Sequence, residues 1–419
     1  MRDRWRLART ALLACAACIA CIVSVPVAQS AEWSVRPRVV MRVEWNDNRR
    51  LLRSPDKATV GAVTRLRLNA AVRTDRGSLT LRPELSFRRF SNQKQLDSDD
   101  QALGLRADYA LSERLRFNFS GRYRRDTSGQ LNFDPDEPGA SNQRAIIEAG
   151  SRRRRWEANP SLSYLATERL RLGLAFSYTY VMYSKGLELD RRRFDFTQSR
   201  LTAGATYALS ERDTLSGSVF GGRYEAPQAQ NTTDSVGGSV RYARRFTSTL
   251  EAHVSGGVYQ SFFDLPANRL ADDSDTGMLF DVGFTKSLQR SRLTGNYSRT
   301  LSPSSSGDLR QRDQVQMRYR YRLSETLAAK INVRAHRTER TGTRRETDAD
   351  GNPVITDDTN ATNVYRVRVG LEKRLNRNWR LTADYRYLLR DEDSDPDQPD
   401  SNAVFIGVVY DGDKYAVSR

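Results

Sequence analysis

Long, strict alternation of apolar and polar residues limits this chain more than any other feature. From Arg114 it reads RLRFNFSGRYR, with Leu115, Phe117, Phe119, Gly121 and Tyr123 on one face and Arg114, Arg116, Asn118, Ser120, Arg122 and Arg124 on the other. RLRLGLAFSYTY from Arg169, VQMRYRYRL from Val315 and WRLTADYRY from Trp379 do the same. Successive side chains of a strand point to opposite faces, so period two marks β-structure. Globular strands usually run to about five or six residues. A tilted strand crossing a bilayer needs roughly 9–11. These runs have nine to twelve, so their length favours a transmembrane barrel over a soluble sandwich.

The connections alternate in kind. Short polar turns (TDRG, LSER, ATER, LSER, FTST, SLQRS, LSET, LNRN) are interleaved with long acidic segments such as SNQKQLDSDD, FDLPANRLADDSDTG and DEDSDPDQPDSN. Short periplasmic turns and long extracellular loops are the layout of bacterial outer-membrane barrels. The corner YALSERLRFNF at Tyr109 returns as YALSERDTLSG at Tyr207, with weaker echoes at Tyr164 and Tyr321. A propeller blade recurs at a similar period, but each unit here holds two long strands, and no Gly-His to Trp-Asp signature appears. The spacing predicts an all-β fold: a transmembrane antiparallel up-and-down barrel of about 18 strands over residues 31–411, both termini periplasmic. Residues 412–419 are expected to be a short periplasmic tail.

Residues 1–30 differ from the rest. A basic start, the apolar run ALLACAACIACIVSVPV and the small-x-small site Ala28-Gln29-Ser30 form the three-part pattern of a secretory signal peptide. All three cysteines (Cys15, Cys18, Cys21) lie within it, so the remainder has no disulfide framework. After it, the chain carries 64 Lys and Arg against 50 Asp and Glu, about +14. The long loops are acidic, so the positive charge is concentrated on strands. Export and strand alternation argue against nucleic acid as the partner despite this charge.

If the apolar face meets lipid, the opposite face lines the lumen with Arg65, Arg67, Arg116, Arg122, Arg171, Arg318, Arg320, Arg366, Arg368, Arg380 and Arg386. Acids such as Glu84, Glu157, Glu372 and Asp384 can pair with these arginines across strands and stiffen the wall. Arginines in excess would draw anionic solutes into the channel. Tyr109, Tyr164, Tyr207, Tyr242, Phe284 and Tyr321 each precede a short turn, as an aromatic girdle at the periplasmic edge of the apolar band would require. The densest basic run, SRRRRW at 151–156, falls where a loop re-enters the barrel and suits a solvated or lipopolysaccharide-facing rim.

Catalytic signals are sparse. His253-Val254-Ser255 has the His-x-Ser spacing of some outer-membrane lipid hydrolases, but alternation points His253, Ser255 and Glu251 inward, away from membrane lipid. Asp348-Ala-Asp350-Gly-Asn352 hints at a calcium loop, yet its glycine comes one position early and no glutamate stands twelfth. No metal site, cofactor site or catalytic constellation is expected.

Glu32-Trp33 through EWNDNRRL at 44–51, and the last hairpin NWRLTADYRYLLRDEDSDPDQPDSNAVFIGVVY with Asp400-Ser401-Asn402 opening its final strand, resemble the outer-membrane β-barrels associated with bacterial exopolysaccharide export (PEP-CTERM-type) systems. Outer-membrane proteins commonly end on an aromatic residue; this chain instead runs on through DGDKYAVSR, leaving Tyr410 or Tyr415 for that role. The resemblance implies passage of a polysaccharide across the outer membrane of a Gram-negative bacterium, and a periplasmic polysaccharide-export protein as a partner beside outer-membrane lipid and lipopolysaccharide. The expected function is therefore a non-catalytic channel exporting an acidic exopolysaccharide. The alternatives are a general or anion-preferring porin for small solutes, and a structural or adhesive barrel with acidic extracellular loops.

Overall fold

A computed structural model describes residues 31–55, 57–127, 152–184, 194–264, 274–303, 309–340, 344–347, 353–356, 361–392 and 398–418. The leader-like segment 1–30 and the DADGN stretch at 348–352 lie outside the described residues.

The strands in chain order are β1 (Glu32–Asn46), β2 (Thr59–Arg73), β3 (Gly77–Phe90), β4 (Ser98–Ala110), β5 (Leu115–Thr127), β6 (Arg152–Leu165) and β7 (Leu170–Tyr183). They continue with β8 (Phe196–Ala208), β9 (Asp213–Ala226), β10 (Asn231–Arg245), β11 (Leu250–Asp264), β12 (Ser274–Ser287), β13 (Ser291–Pro303), β14 (Leu309–Arg322) and β15 (Leu327–Arg340). β16 (Arg344–Thr347) and β17 (Pro353–Thr356) pair only with each other. β18 (Thr362–Arg374), β19 (Trp379–Glu392), β20 (Asp400–Asp411) and β21 (Tyr415–Ser418) complete the chain.

Each long strand pairs antiparallel with its sequence neighbours, and β20 returns to β1, so the sheet closes as an 18-strand barrel. Closure removes both sheet edges, which a bilayer requires because exposed backbone polar groups find no water there. At the periplasmic rim several corners are held by the side chain that opens them. The hydroxyls of Ser112, Thr167, Thr247 and Ser324 accept the amide three residues on, at 3.0, 3.0, 3.0 and 3.1 Å. Asn376 Oδ1 does the same for Trp379 at 2.9 Å. The recurrent LSER phrase is this turn chemistry.

Alternation separates two environments. Trp33, Met41, Val219, Val258, Met278 and Ile406 lie exposed on the outer wall, the disposition of a lipid-facing band. Glu44, Asn46, Ser86, Arg88, Asp126 and Arg386, of opposite parity, are buried inside. The segment after Asp411, expected as a tail, instead builds wall. Arg38 pairs Asp411 and Val35 pairs Tyr415, so one extra residue bulges out before β21 continues against β1. Tyr415 and Val417 then extend the exposed apolar face.

Candidate functional site

The lumen is the candidate site, and strand register determines its chemistry. All eleven arginines of the expected lumenal set occupy inward-parity positions. Towards the periplasmic turns, Arg116, Arg171 and Arg320 are exposed within the open mouth. Further towards the extracellular loops, Arg368 and Arg386 are buried, together with Arg312.

Much of this charge is paired. Arg65 and Arg67 converge on Glu84 at 3.3 and 2.6 Å. Arg320, Lys330 and Arg380 share Glu372 at 3.1, 2.5 and 3.4 Å. Arg368 forms a fork with Asp384, with its closer nitrogen at 2.9 Å, and Arg155 meets Glu157 at 2.5 Å. Glu84, Glu372 and Asp384 thus pair across strands, whereas Glu157 meets an arginine of its own strand. Arg88–Asp100 (2.7 Å) and Arg153–Asp126 (2.8 Å) add pairs that the sequence reading did not single out.

One sector keeps a basic excess. Across β14, β15, β18 and β19 the inward face carries Arg312, Arg318, Arg334, His336, Arg366, Arg368 and Arg386. Arg334 stands directly opposite Arg366, and Arg368 opposite Arg386. Like charges in direct register repel, so an arriving anion lowers the electrostatic energy of this wall. Phe405 on β20 organises the adjoining part: Arg386, Arg42 and Arg368 lie over its ring at 5.2, 5.7 and 6.0 Å. Planar guanidiniums suit carboxylate and phosphate recognition.

The extracellular half of the lumen is narrowed by the EWNDNRRL segment itself. After β1 the chain turns inward. Leu51, at φ 53°, is buried against Val364 and Leu388 of the inner wall. A non-glycine residue there costs about 1–2 kcal/mol; burying a leucine returns about 1.5–3, so packing carries the turn. Arg49 forms a buried ion pair with Glu44 and stacks over Phe90 at 4.3 Å. Burial presses the Arg49 pKa below its ordinary value, while Glu44 favours the charged form. Phe90 fits because residue 61 is glycine; a Cβ there would collide with its ring. On the far wall, Val181, Phe196, Tyr224, Ala226 and Ala229 gather with Leu309 into a second apolar cluster.

The same segment ties the ends of the barrel together. Asp47 Oδ1 and Oδ2 accept from the backbone and side chain of Asn402 at 2.7 and 2.8 Å. Ser401 donates to Asn46 at 3.0 Å, and Asn48 donates to the Asp400 carbonyl at 2.9 Å. The two short motifs at opposite ends of the sequence are one clasp.

Tyr109, Tyr164, Tyr207, Tyr242, Phe284 and Tyr321 all have outward parity beside periplasmic turns. His253 lies 2.7 Å from Asp281, in the lumen, and is not paired to Ser255. The run Arg152–Arg155 divides: Arg153 and Arg155 face in, Arg152 and Arg154 face out. Among the described residues no cluster of potential metal ligands occurs, and no helix is long and apolar enough to cross a membrane.

No family model and no curated protein matches the chain. Among solved structures it is similar to OpdK of Pseudomonas aeruginosa with vanillate, at 12% identity and a TM-score of 0.47, covering 91% of this chain and 99% of that one. It is also similar to OccAB2 of Acinetobacter baumannii, at 12% identity and a TM-score of 0.46, covering 92% and 98%. Closure, the exposed apolar band and the polar interior define a transmembrane β-barrel of the Gram-negative outer membrane.

Proposed function

We propose that this barrel is a non-catalytic, anion-preferring channel whose cargo is an acidic exopolysaccharide leaving the cell. The observation that carries the anion preference is the direct register of Arg334 against Arg366 on the inward face of β15 and β18. Guanidiniums recognise uronate, sulfate or phosphate groups. The cargo rests on the resemblance in EWNDNRRL and the final hairpin. Exposed arginines at the periplasmic mouth would gather a polyanion at the side from which export begins.

A second reading, a porin for small anionic solutes, is favoured by the inward-folded segment with Leu51 and Arg49, which narrows the path at its extracellular half. Two measurements separate the readings. A deletion strain should stop releasing acidic polysaccharide; normal secretion removes the export reading. Purified barrel in a planar bilayer should conduct with anion preference; a silent bilayer removes both.

A further inference from the structure

The outer wall carries a feature that transport through the lumen does not use. At its extracellular rim, outward-facing arginines are neutralised from the neighbouring strand. Arg89 pairs with Asp99 at 2.6 Å, Arg223 with Asp234 at 2.7 Å and Arg299 with Asp313 at 2.6 Å. On β5 and β6 this rule is broken. Arg125 faces Arg154 directly across the ladder, and Arg152 follows on the same outer face. Neither Arg125 nor Arg154 has a carboxylate partner among the described residues. Two cations in direct register are unfavourable unless an anion lies between them.

Immediately on the membrane side lies an aromatic shelf. Tyr123, Trp156 and Tyr180 are successive cross-strand neighbours, with ring centroids 5.3 and 5.5 Å apart. Aromatic rings of this kind sit at the level of lipid headgroups. The arginines one step beyond them therefore stand where the headgroup phosphates of the outer leaflet lie. In a Gram-negative outer membrane that leaflet presents lipopolysaccharide.

We infer that Arg125 and Arg154, with Arg152 beside them, clamp a phosphate of lipopolysaccharide on the outer face of β5–β6, its acyl chains lying along the Tyr123–Trp156–Tyr180 shelf. The clamp fixes the barrel to one lipid at the foot of the long loop between these strands. Its inward counterparts, Arg153 and Arg155, are already committed to Asp126 and Glu157, so only the outward half of the basic run takes the lipid.

The test is lipopolysaccharide binding by the detergent-purified full chain. The double variant Arg125→Gln/Arg154→Gln should bind roughly tenfold or more weakly, as expected for losing charge-assisted phosphate contacts. Dephosphorylated lipopolysaccharide should bind wild type as weakly as intact lipid binds the variant. The control Arg223→Gln/Asp234→Asn, which removes a neutralised pair, should bind normally. Should the double variant not assemble, Arg125→Glu supplies a partner for Arg154, keeps the wall intact and should still lose binding. Equal binding by wild type and the charge variants overturns the clamp. Equal competition by phosphatidylglycerol micelles overturns lipopolysaccharide as its occupant.

Discussion

Single side chains decide how open the extracellular half of this lumen is. Glu44, 2% exposed, holds Arg49, and breaking a buried pair from one side costs about 3–5 kcal/mol because a charge is left stranded. Glu44→Gln should therefore release the segment after β1; trypsin should cut after Arg49 and Arg50 faster than in wild type, and an unchanged rate would show that Leu51 alone anchors it. Gly61→Ala acts from beneath. A methyl group there displaces Phe90, the platform for Arg49, and overpacking of this kind costs about 1–3 kcal/mol. Single-channel conductance should rise as the segment lifts away; the same conductance as wild type would place the constriction elsewhere. Little of this was legible beforehand. Alternation placed Glu44 on the inner face, but nothing in EWNDNRRL says that a polar loop will fold into a lumen, because that depends on Val364, Leu388 and Phe90 from distant strands.

At the scale of strands and turns, sequence was a better guide. Eighteen long period-two runs became eighteen wall strands because lipid on one side and polar lumen on the other leave alternation as the only stable pattern. The LSER corners were visible for a similar reason: a serine or threonine that opens a tight turn receives the amide three residues on. What alternation hid was β21. DGDK interrupts the period, and a bulge restores it only through pairing with β1. Truncation after Asp411 should therefore leave the lower part of β1 paired with β2 alone and lower the temperature at which the barrel loses its compact mobility on unheated gels. Mobility identical to full length at every temperature would make β21 dispensable. Asp47→Ala removes both side-chain bonds to Asn402, and bonds to charged groups contribute about 1.5–3 kcal/mol each; the same gel should show loosening, this time from the extracellular rim.

For the whole molecule, the balance of charge inside the wall governs what passes. Composition revealed a basic chain, and parity placed its arginines inward, but which of them are neutralised depends on register. Glu84, Glu372 and Asp384 each engage the arginines nearest them, and closure sets Arg312, Arg334, His336, Arg366 and Arg386 of β14, β15, β18 and β19 on one sector. Neighbouring strands can be read one at a time from a sequence; the sum of their charges on one sector of a closed wall cannot. The most direct test is the reversal potential of purified barrels in a planar bilayer under a KCl gradient. Wild type should favour chloride over potassium, and the triple variant Arg334→Gln/Arg366→Gln/Arg386→Gln should lose most of that preference while still conducting. Cation preference in wild type, or anion preference untouched by the three substitutions, would contradict an arginine-governed lumen.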